Sequence, residues 1–381
     1  MKRLFLSTSL VALASAASAD APRVVSDIAP VHSLVAQVMG DLGAPSLLVR
    51  PGASPHGYAM RPSEAAALSE ADLIVIVGER LTPWLMRPID ALGDSAALLQ
   101  LLEVDGITVL ETRTGVTFER HSHDHGGHDH DHDHDHDHAH GDKDHDHDHD
   151  HAHGDKDHDH DHDHAHGDKD HDHDHDHAHD DHDHDHDHAH DDHDHDHDHA
   201  HDDHDHDHDH GPIDSHAWLD PANAALWLGA IAEQLAEIDP ANAETYRANA
   251  AEGRAALASL QAEIAEALPA QSRDFIVFHD AYQYFESRFG ISAAGSISLS
   301  EATPPSAARV AELNARITDL EIGCVFSEPQ MNPGVINALN LPDTVRRLQI
   351  DPLGAAITPG ADHYAATLRA VADSFAGCIG D

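Results

Sequence analysis

Cysteine occurs only twice in the 381 residues, at Cys324 and Cys378, so no more than one intramolecular disulfide is available. Beyond the N-terminus there is no run of about 18 apolar residues, the length a helix needs to cross a bilayer, and the mature chain is expected to be soluble. Neither a His-Glu-x-x-His helix nor a nucleophile elbow occurs, which leaves hydrolytic chemistry without a foothold in the sequence. Histidine is scarce too once a single tract is set aside, because only 5 of the 44 lie outside residues 121–210.

That tract is what the sequence has in excess. It holds 39 histidines, 36 aspartates and 3 lysines, so about 33 of the 50 net negative charges sit there and the remainder of the chain is only mildly acidic. His-Ala-His triplets centred on Ala139, Ala152, Ala165 and Ala178 recur every 13 residues, and those at Ala189 and Ala200 follow at 11. With almost nothing to bury, such a segment cannot offset about 1–2 kcal/mol of backbone entropy per residue and is expected to be disordered without metal. Its neutral imidazoles suit zinc, copper, nickel and cobalt with little geometric selectivity. Protonation around pH ~6.5 would take its charge from about −33 to about +6 and release metal in acid. A solvated acidic spacer is the plainer alternative, but aspartate alone would serve that purpose.

The N-terminus reads Met1-Lys2-Arg3, then an apolar and small-residue run closing on Ala17-Ser18-Ala19. This is the pattern of a secretory signal peptide over residues 1–19, too short to anchor in a membrane. Export to an oxidising compartment makes a Cys324–Cys378 disulfide the default, two buried free thiols being the alternative. Removing the signal and the tract leaves 272 residues, enough for one large two-lobed fold.

The pattern along those residues alternates β-rich and helical runs, which predicts an α/β fold of two lobes, each a mostly parallel sheet flanked by helices. The expected parts are an N-terminal lobe over 20–120, the tract over 121–210, and a return into the N-terminal lobe over 211–241. A linking helix over 242–268 and a C-terminal lobe over 269–381 follow. The clearest strand is the apolar run Asp72-Leu73-Ile74-Val75-Ile76-Val77. In the linking helix, Tyr246, Ala250, Gly253, Leu257, Leu260, Ile264 and Ala267 fall at alternating steps of four and three, a single apolar stripe bounded by Pro240 and Pro269. Later strands are expected at 275–278, 291–296, 324–326 and 346–350, with helices at about 306–318 and 362–376.

Of the five histidines outside the tract, three share one kind of setting. His56 lies in a loop just after the strand Leu47-Leu48-Val49, His279 follows the strand 275–278, and His216 sits where the chain re-enters the fold before a helix. Ligands of open α/β sheets bind beyond the carboxyl ends of the strands, and three imidazoles there suit zinc, with a carboxylate or water as fourth ligand. Asp351, at the end of the last predicted strand, is the best-placed carboxylate; Asp280 reads instead as a helix cap. His32 and His363 read as structural.

Five segments carry a resemblance: Gly52-Ala53-Ser54-Pro55-His56 with Arg61-Pro62-Ser63, His216-Ala217-Trp218-Leu219-Asp220-Pro221, Phe278-His279-Asp280-Ala281-Tyr282, Ser327-Glu328-Pro329-Gln330, and Asp351-Pro352-Leu353-Gly354. In this order they closely resemble the zinc-specific substrate-binding proteins of bacterial ABC importers, over nearly all of the chain from Arg23 to Cys378. The resemblance implies a periplasmic, non-enzymatic receptor that holds Zn2+ between two lobes joined by a rigid helix. It implies delivery to an inner-membrane permease and its ATPase, with metal ions rather than nucleic acid as ligands and a monomeric chain. The family's histidine ligands map onto His56, His216 and His279, and Cys324 with Cys378 matches a disulfide of zinc-type members. A histidine-rich insertion at this place is also typical. Some members have an acidic residue just before the first ligand; here Pro55 stands there, which leaves Asp351 or water for the fourth position. Rival expectations are a manganese receptor of the same fold, an extracytoplasmic zinc buffer in which the tract is the function, and, further off, a zinc hydrolase.

Overall fold

The structure, a computed structural model, describes residues 21–113, 115, 118, 213–298, 305–320, 322–332, 334–337 and 339–380. The expected signal peptide and histidine/aspartate tract lie outside these residues.

The first half of the fold runs β1 (Val24–Ser26), α1 (Ala29–Met39), β2 (Ser46–Leu47), α2 (Pro62–Ser69), β3 (Leu73–Ile76), α3 (Pro83–Leu92) and β4 (Ala97–Gln100). Beyond the tract come α4 (Pro221–Ile238) and α5 (Ala243–Ala267). The second half runs β5 (Phe275–His279), α6 (Gln283–Phe289), β6 (Gly295–Ser298), α7 (Ala307–Asp319), β7 (Cys324–Ser327), α8 (Gly334–Asn337), β8 (Arg346–Gln349) and α9 (His363–Ile379). Each half builds a four-stranded sheet, in the orders β2-β1-β3-β4 and β6-β5-β7-β8, and every pairing is parallel. Parallel strands covered on both faces need continuous apolar runs, which is what Leu73-Ile74-Val75-Ile76 supplies, all four buried. The two orders repeat one topology, so each lobe has a switch point where the connections turn from one face of the sheet to the other, beside β1 and beside β5.

Proline sets several helix starts. Pro62, Pro83 and Pro221 occupy first-turn positions, where the missing N–H costs nothing. Asp220 caps α4 by accepting from the Ala222 amide at 2.8 Å, and its carboxylate also takes Arg288 of α6 at 2.7 Å. Helix α5 has 25 residues and is therefore about 37 Å long. Its stripe faces inward from Tyr246 through Ile264; Ala267, expected on the same face, is exposed because the helix ends there and the chain turns away toward β5. Gly253 lets α4 and α5 approach closely: a β-carbon at that position would stand 2.8 Å from the Leu228 Cδ1.

One apolar core runs through both lobes, taking in Val24, Leu34 and Val75 of the first, Trp218 and Trp227 at the return, Tyr246 and Leu257 of α5, and Phe275, Phe326 and Phe375 of the second. Smaller clusters cover the outer sheet faces, around Ile74 and Leu85 in one lobe and around Ile297 and Leu313 in the other. The disulfide Cys324–Cys378 ties the start of β7 to the last turn of α9 across 54 residues. One expected strand shifts: the segment predicted at 291–296 is ordered as β6 only from Gly295, and its residues pair with Ile276, Val277 and His279 of β5.

Candidate metal centre

His279 is the last residue of β5 and lies beyond its switch point, 1% exposed. His216 sits one residue before a short 3-10 turn, Ala217–Leu219, that leads into α4, and is 7% exposed. His56 is half-buried in the long loop between β2 and α2. That loop is held at several points. Trp84 of α3 donates its indole N–H to the Pro55 carbonyl at 2.7 Å, and the His56 amide donates to Ser54 Oγ at 3.3 Å. The buried Glu64 accepts from the Tyr58 hydroxyl at 2.8 Å and from the Arg61 amide at 2.6 Å. The residue before His56 thus serves by its backbone carbonyl.

These three imidazoles come together, each offering a nitrogen within 4.8 Å of the other two. Their ring centroids stand 5.1, 5.4 and 6.3 Å apart, and the Nε2 atoms of His216 and His279 are separated by 3.3 Å. Two nitrogens bound at 2.0–2.1 Å to one tetrahedral zinc would lie about 3.4 Å apart, so this pair is spaced for a single ion. The opposite ring nitrogens are engaged. His216 Nδ1 is 2.7 Å from Asp214 Oδ1, which also accepts the His216 amide at 3.0 Å, and His279 Nδ1 is 2.8 Å from Glu328 Oε1. A carboxyl oxygen that accepts Nδ1–H leaves the Nε2 lone pair facing the site, the usual support of a metal-binding histidine.

Burial shapes the protonation of the site. It drives the His56 imidazole down to about 2, with His216 and His279 adding to the effect, so His56 stays neutral and able to ligate. The Glu328 carboxyl, fully buried just after β7, is pushed up to about 8 by desolvation, against the opposing pull of His216.

The remaining sequence candidates stand elsewhere. Asp351 is not grouped with the histidines; its carboxylate accepts from Gln330 Nε2 at 2.9 Å and from the Leu353 and Ala355 amides at 3.0 and 2.6 Å. Asp280 does not cap α6, whose N-cap is Tyr282 without a side-chain bond. It is ion-paired with Arg113 instead, because the chain makes a turn after His279 before the helix begins. His32 is 3.1 Å from the Pro45 carbonyl and His363 is 3.2 Å from that of Gly354, both outside the trio. Glu328 stands in the sequence only within the resemblance segment Ser327-Glu328-Pro329-Gln330, without a site role, and Asp214 and Arg113 carry none. The Asp214-x-His216 spacing was a local signal for one of them, whereas Glu328 reaches His279 from 49 residues away and Arg113 reaches Asp280 from 167.

Two parallel α/β lobes sharing a core, with three histidines brought together from both, are the architecture of a two-lobed substrate-binding protein with a candidate metal site. The family model of the zinc-uptake complex component A, periplasmic (ZnuA), matches residues 24–378. The chain belongs to that family. It is 38% identical to the high-affinity zinc uptake system protein ZnuA of Paracoccus denitrificans and 36% to that of Brucella abortus, in both cases over 99% of this chain and 98% of the relative. Among solved structures, a crystal structure of ZnuA superposes with a TM-score of 0.60 at 22% identity, covering 95% of this chain and all of the other. A zinc-bound ZnuA lacking residues 138–173 of its own numbering gives 0.59 at 21%, covering 95% and 99%. At these identities the structures speak for the fold.

Proposed function

We propose that this chain is the periplasmic zinc receptor of an ABC importer, which takes up Zn2+ between its lobes on His56, His216 and His279 and delivers it to an inner-membrane permease driven by an ATPase. The observation that carries this reading is the convergence of three buried or half-buried imidazoles, two of them with Nε2 atoms at 3.3 Å and each of those two backed by a carboxyl group. The curated relatives carry the name of a zinc uptake protein over their full length. An all-nitrogen set suits borderline-soft zinc better than manganese, which prefers oxygen ligands. The fourth position goes to a water, since the Asp351 carboxylate already accepts three hydrogen bonds within its own loop and from Gln330. The signal peptide over residues 1–19 carries the chain to the periplasm, and the tract over 121–210 gathers metal less selectively.

Titration of zinc and manganese separates the alternatives when it is done on three proteins: the full chain, a version lacking residues 121–210, and a His56→Ala/His216→Ala/His279→Ala variant of that deletion. One tight zinc site that outlasts the deletion and vanishes in the triple variant supports the receptor. Tight binding lost with the tract alone turns the reading into a metal buffer, and tighter manganese than zinc turns it into a manganese receptor.

A further inference from the structure

We infer that Arg113 is a positioning residue for the metal site, fixing two of its three histidines from the strap that follows β4; the inference rests on the reading of His216 and His279 as ligands. After β4 the chain crosses to the second lobe. Thr108 is held by Asn223 of α4, its amide donating at 2.7 Å, and two residues later the Leu110 amide donates to the Tyr284 hydroxyl of α6 at 3.0 Å. Arg113 then places its guanidinium between two carboxylates of the second lobe. Its Nε donates to both oxygens of Asp280 at 3.1 and 3.0 Å, its Nη2 also bonds Asp280, and Nη1 reaches Glu286 at 2.8 Å. The Phe118 ring packs against the guanidinium at 3.9 Å. All three ionic side chains are at most 15% exposed.

From this anchor two routes lead to the site. Asp280 directly follows His279, so the Arg113 fork fixes the peptide that carries one imidazole. The other route crosses the strap itself. The strap pairs with the returning chain through a bridge between Glu111 and Ile213 and a 2.8 Å bond from the Asp214 amide to the Leu110 carbonyl. The Tyr284 hydroxyl closes the same junction by donating to the Asp214 carbonyl at 2.8 Å. Asp214 is the residue that holds His216 Nδ1. Burying one guanidinium and two carboxylates carries a desolvation cost that a well-packed apolar contact avoids. What an apolar contact would not supply is a bidentate fork of fixed direction, and ligand atoms need to be held to within about 0.5 Å.

The test is made on the full chain, with tryptophan emission as the reporter of the core site, because Trp218 lies 5.2 Å from His216 and Trp84 bonds the loop carrying His56. Arg113→Met strands two buried carboxylates, so Arg113→Met/Asp280→Asn/Glu286→Gln accompanies it as a neutral variant that removes the fork without leaving charge behind. Zinc release into excess chelator is followed by stopped flow, beside the association rate and the thermal midpoint. A folded triple variant that releases zinc about 10- to 100-fold faster at an unchanged association rate, with Arg113→Lys between it and the original chain, is the expected result. A folded triple variant with unchanged release overturns the inference and leaves Arg113 a structural ion. An original chain with no tight zinc response at these tryptophans overturns the ligand reading itself, and the inference falls with it.

Discussion

The two lobes repeat one sheet topology and put it to opposite uses at the same place. In the first lobe, the residue after β1 is Asp27, whose carboxylate turns inward and accepts the Ile28 amide at 2.7 Å and the amide of Val77, just past β3, at 2.8 Å. In the second lobe the corresponding end of β5 carries His279, and the group it meets just past β7 is the Glu328 carboxyl at 2.8 Å. The link between first and third strand is therefore closed in both lobes. In one it is a buried acid whose two oxygens each accept a backbone amide. In the other it is an imidazole that binds the acid with one nitrogen and keeps the second for the cleft. The fold supplies a switch point twice, and the side chain at the strand end decides which of the two becomes a site.

Breaking the second lobe's arrangement at its centre has the largest expected effect. His279→Ala removes one of the three proposed ligands, and His216→Ala and His56→Ala do the same from other segments. Each is expected to weaken the tight zinc site by more than the roughly 10- to 100-fold that loss of an outer hydrogen-bond partner costs, measured by chelator competition on the protein lacking residues 121–210. Survival of tight binding in any of the three would remove that residue from the ligand set. The next effect is covalent. The second lobe has a disulfide and the first has none among the described residues, and a 54-residue loop corresponds to about 4 kcal/mol in the chain-entropy account. Cys324→Ser/Cys378→Ser is expected to lower stability to denaturant by about that amount with zinc affinity little changed, and a smaller loss would mean that α9 is already held by the Phe275, Phe285 and Phe326 rings around Phe375.

The first lobe offers a pH test. Burial raises the Asp27 carboxyl to about 7 in spite of its two amide donors, against about 3.9 in an unfolded chain. A group whose folded value is raised adds stability below its unfolded value and loses it as pH rises through the folded one. Asp27 is therefore expected to give up about 3 kcal/mol between pH 5 and pH 8, read as the difference between the original chain and Asp27→Asn in urea melts with chelator present. Equal pH slopes for the two proteins would place the carboxylate's proton elsewhere.

How much of this was legible in the sequence follows from the range of each interaction. The strand Leu73–Ile76, the α5 stripe and the three histidine-bearing segments are local patterns, readable from spacing and from neighbouring prolines. So was the pairing of Cys324 with Cys378, there being no other cysteine. Asp280, three residues before α6, looks like a cap until the fold brings Arg113 from 167 positions away to claim it. The place of Asp351 after a strand is a local pattern, whereas the bonds its carboxylate accepts from the amides of Leu353 and Ala355 come from the shape of its own loop. No periodicity reveals a contact like that of His279 with Glu328, because it depends on which strand lies beside β5 and where both strands stop.

The smallest effect tests that contact, and it decides what the second lobe gained by placing an acid where the first has backbone. Burial pushes Glu328 up to about 8, which favours its neutral form in the metal-free chain, and its Oε1 can then accept Nδ1–H from His279 as an amide oxygen would. Glu328→Gln keeps that acceptor and is expected to weaken zinc binding less than tenfold, while Glu328→Met removes it and is expected to cost about 10- to 100-fold. Nitrogen-15 chemical shifts of His279 in the metal-free protein lacking residues 121–210 report the tautomer directly. The Nδ1–H form is expected with Glu or Gln at position 328, and a shift toward Nε2–H with Met, since the imidazole then has no acceptor behind it and can donate to His216 across 3.3 Å. Equal affinity and one tautomer in all three proteins would mean that packing alone orients the ring, and that the acid at this strand end does for the second lobe no more than the Val77 amide does for the first.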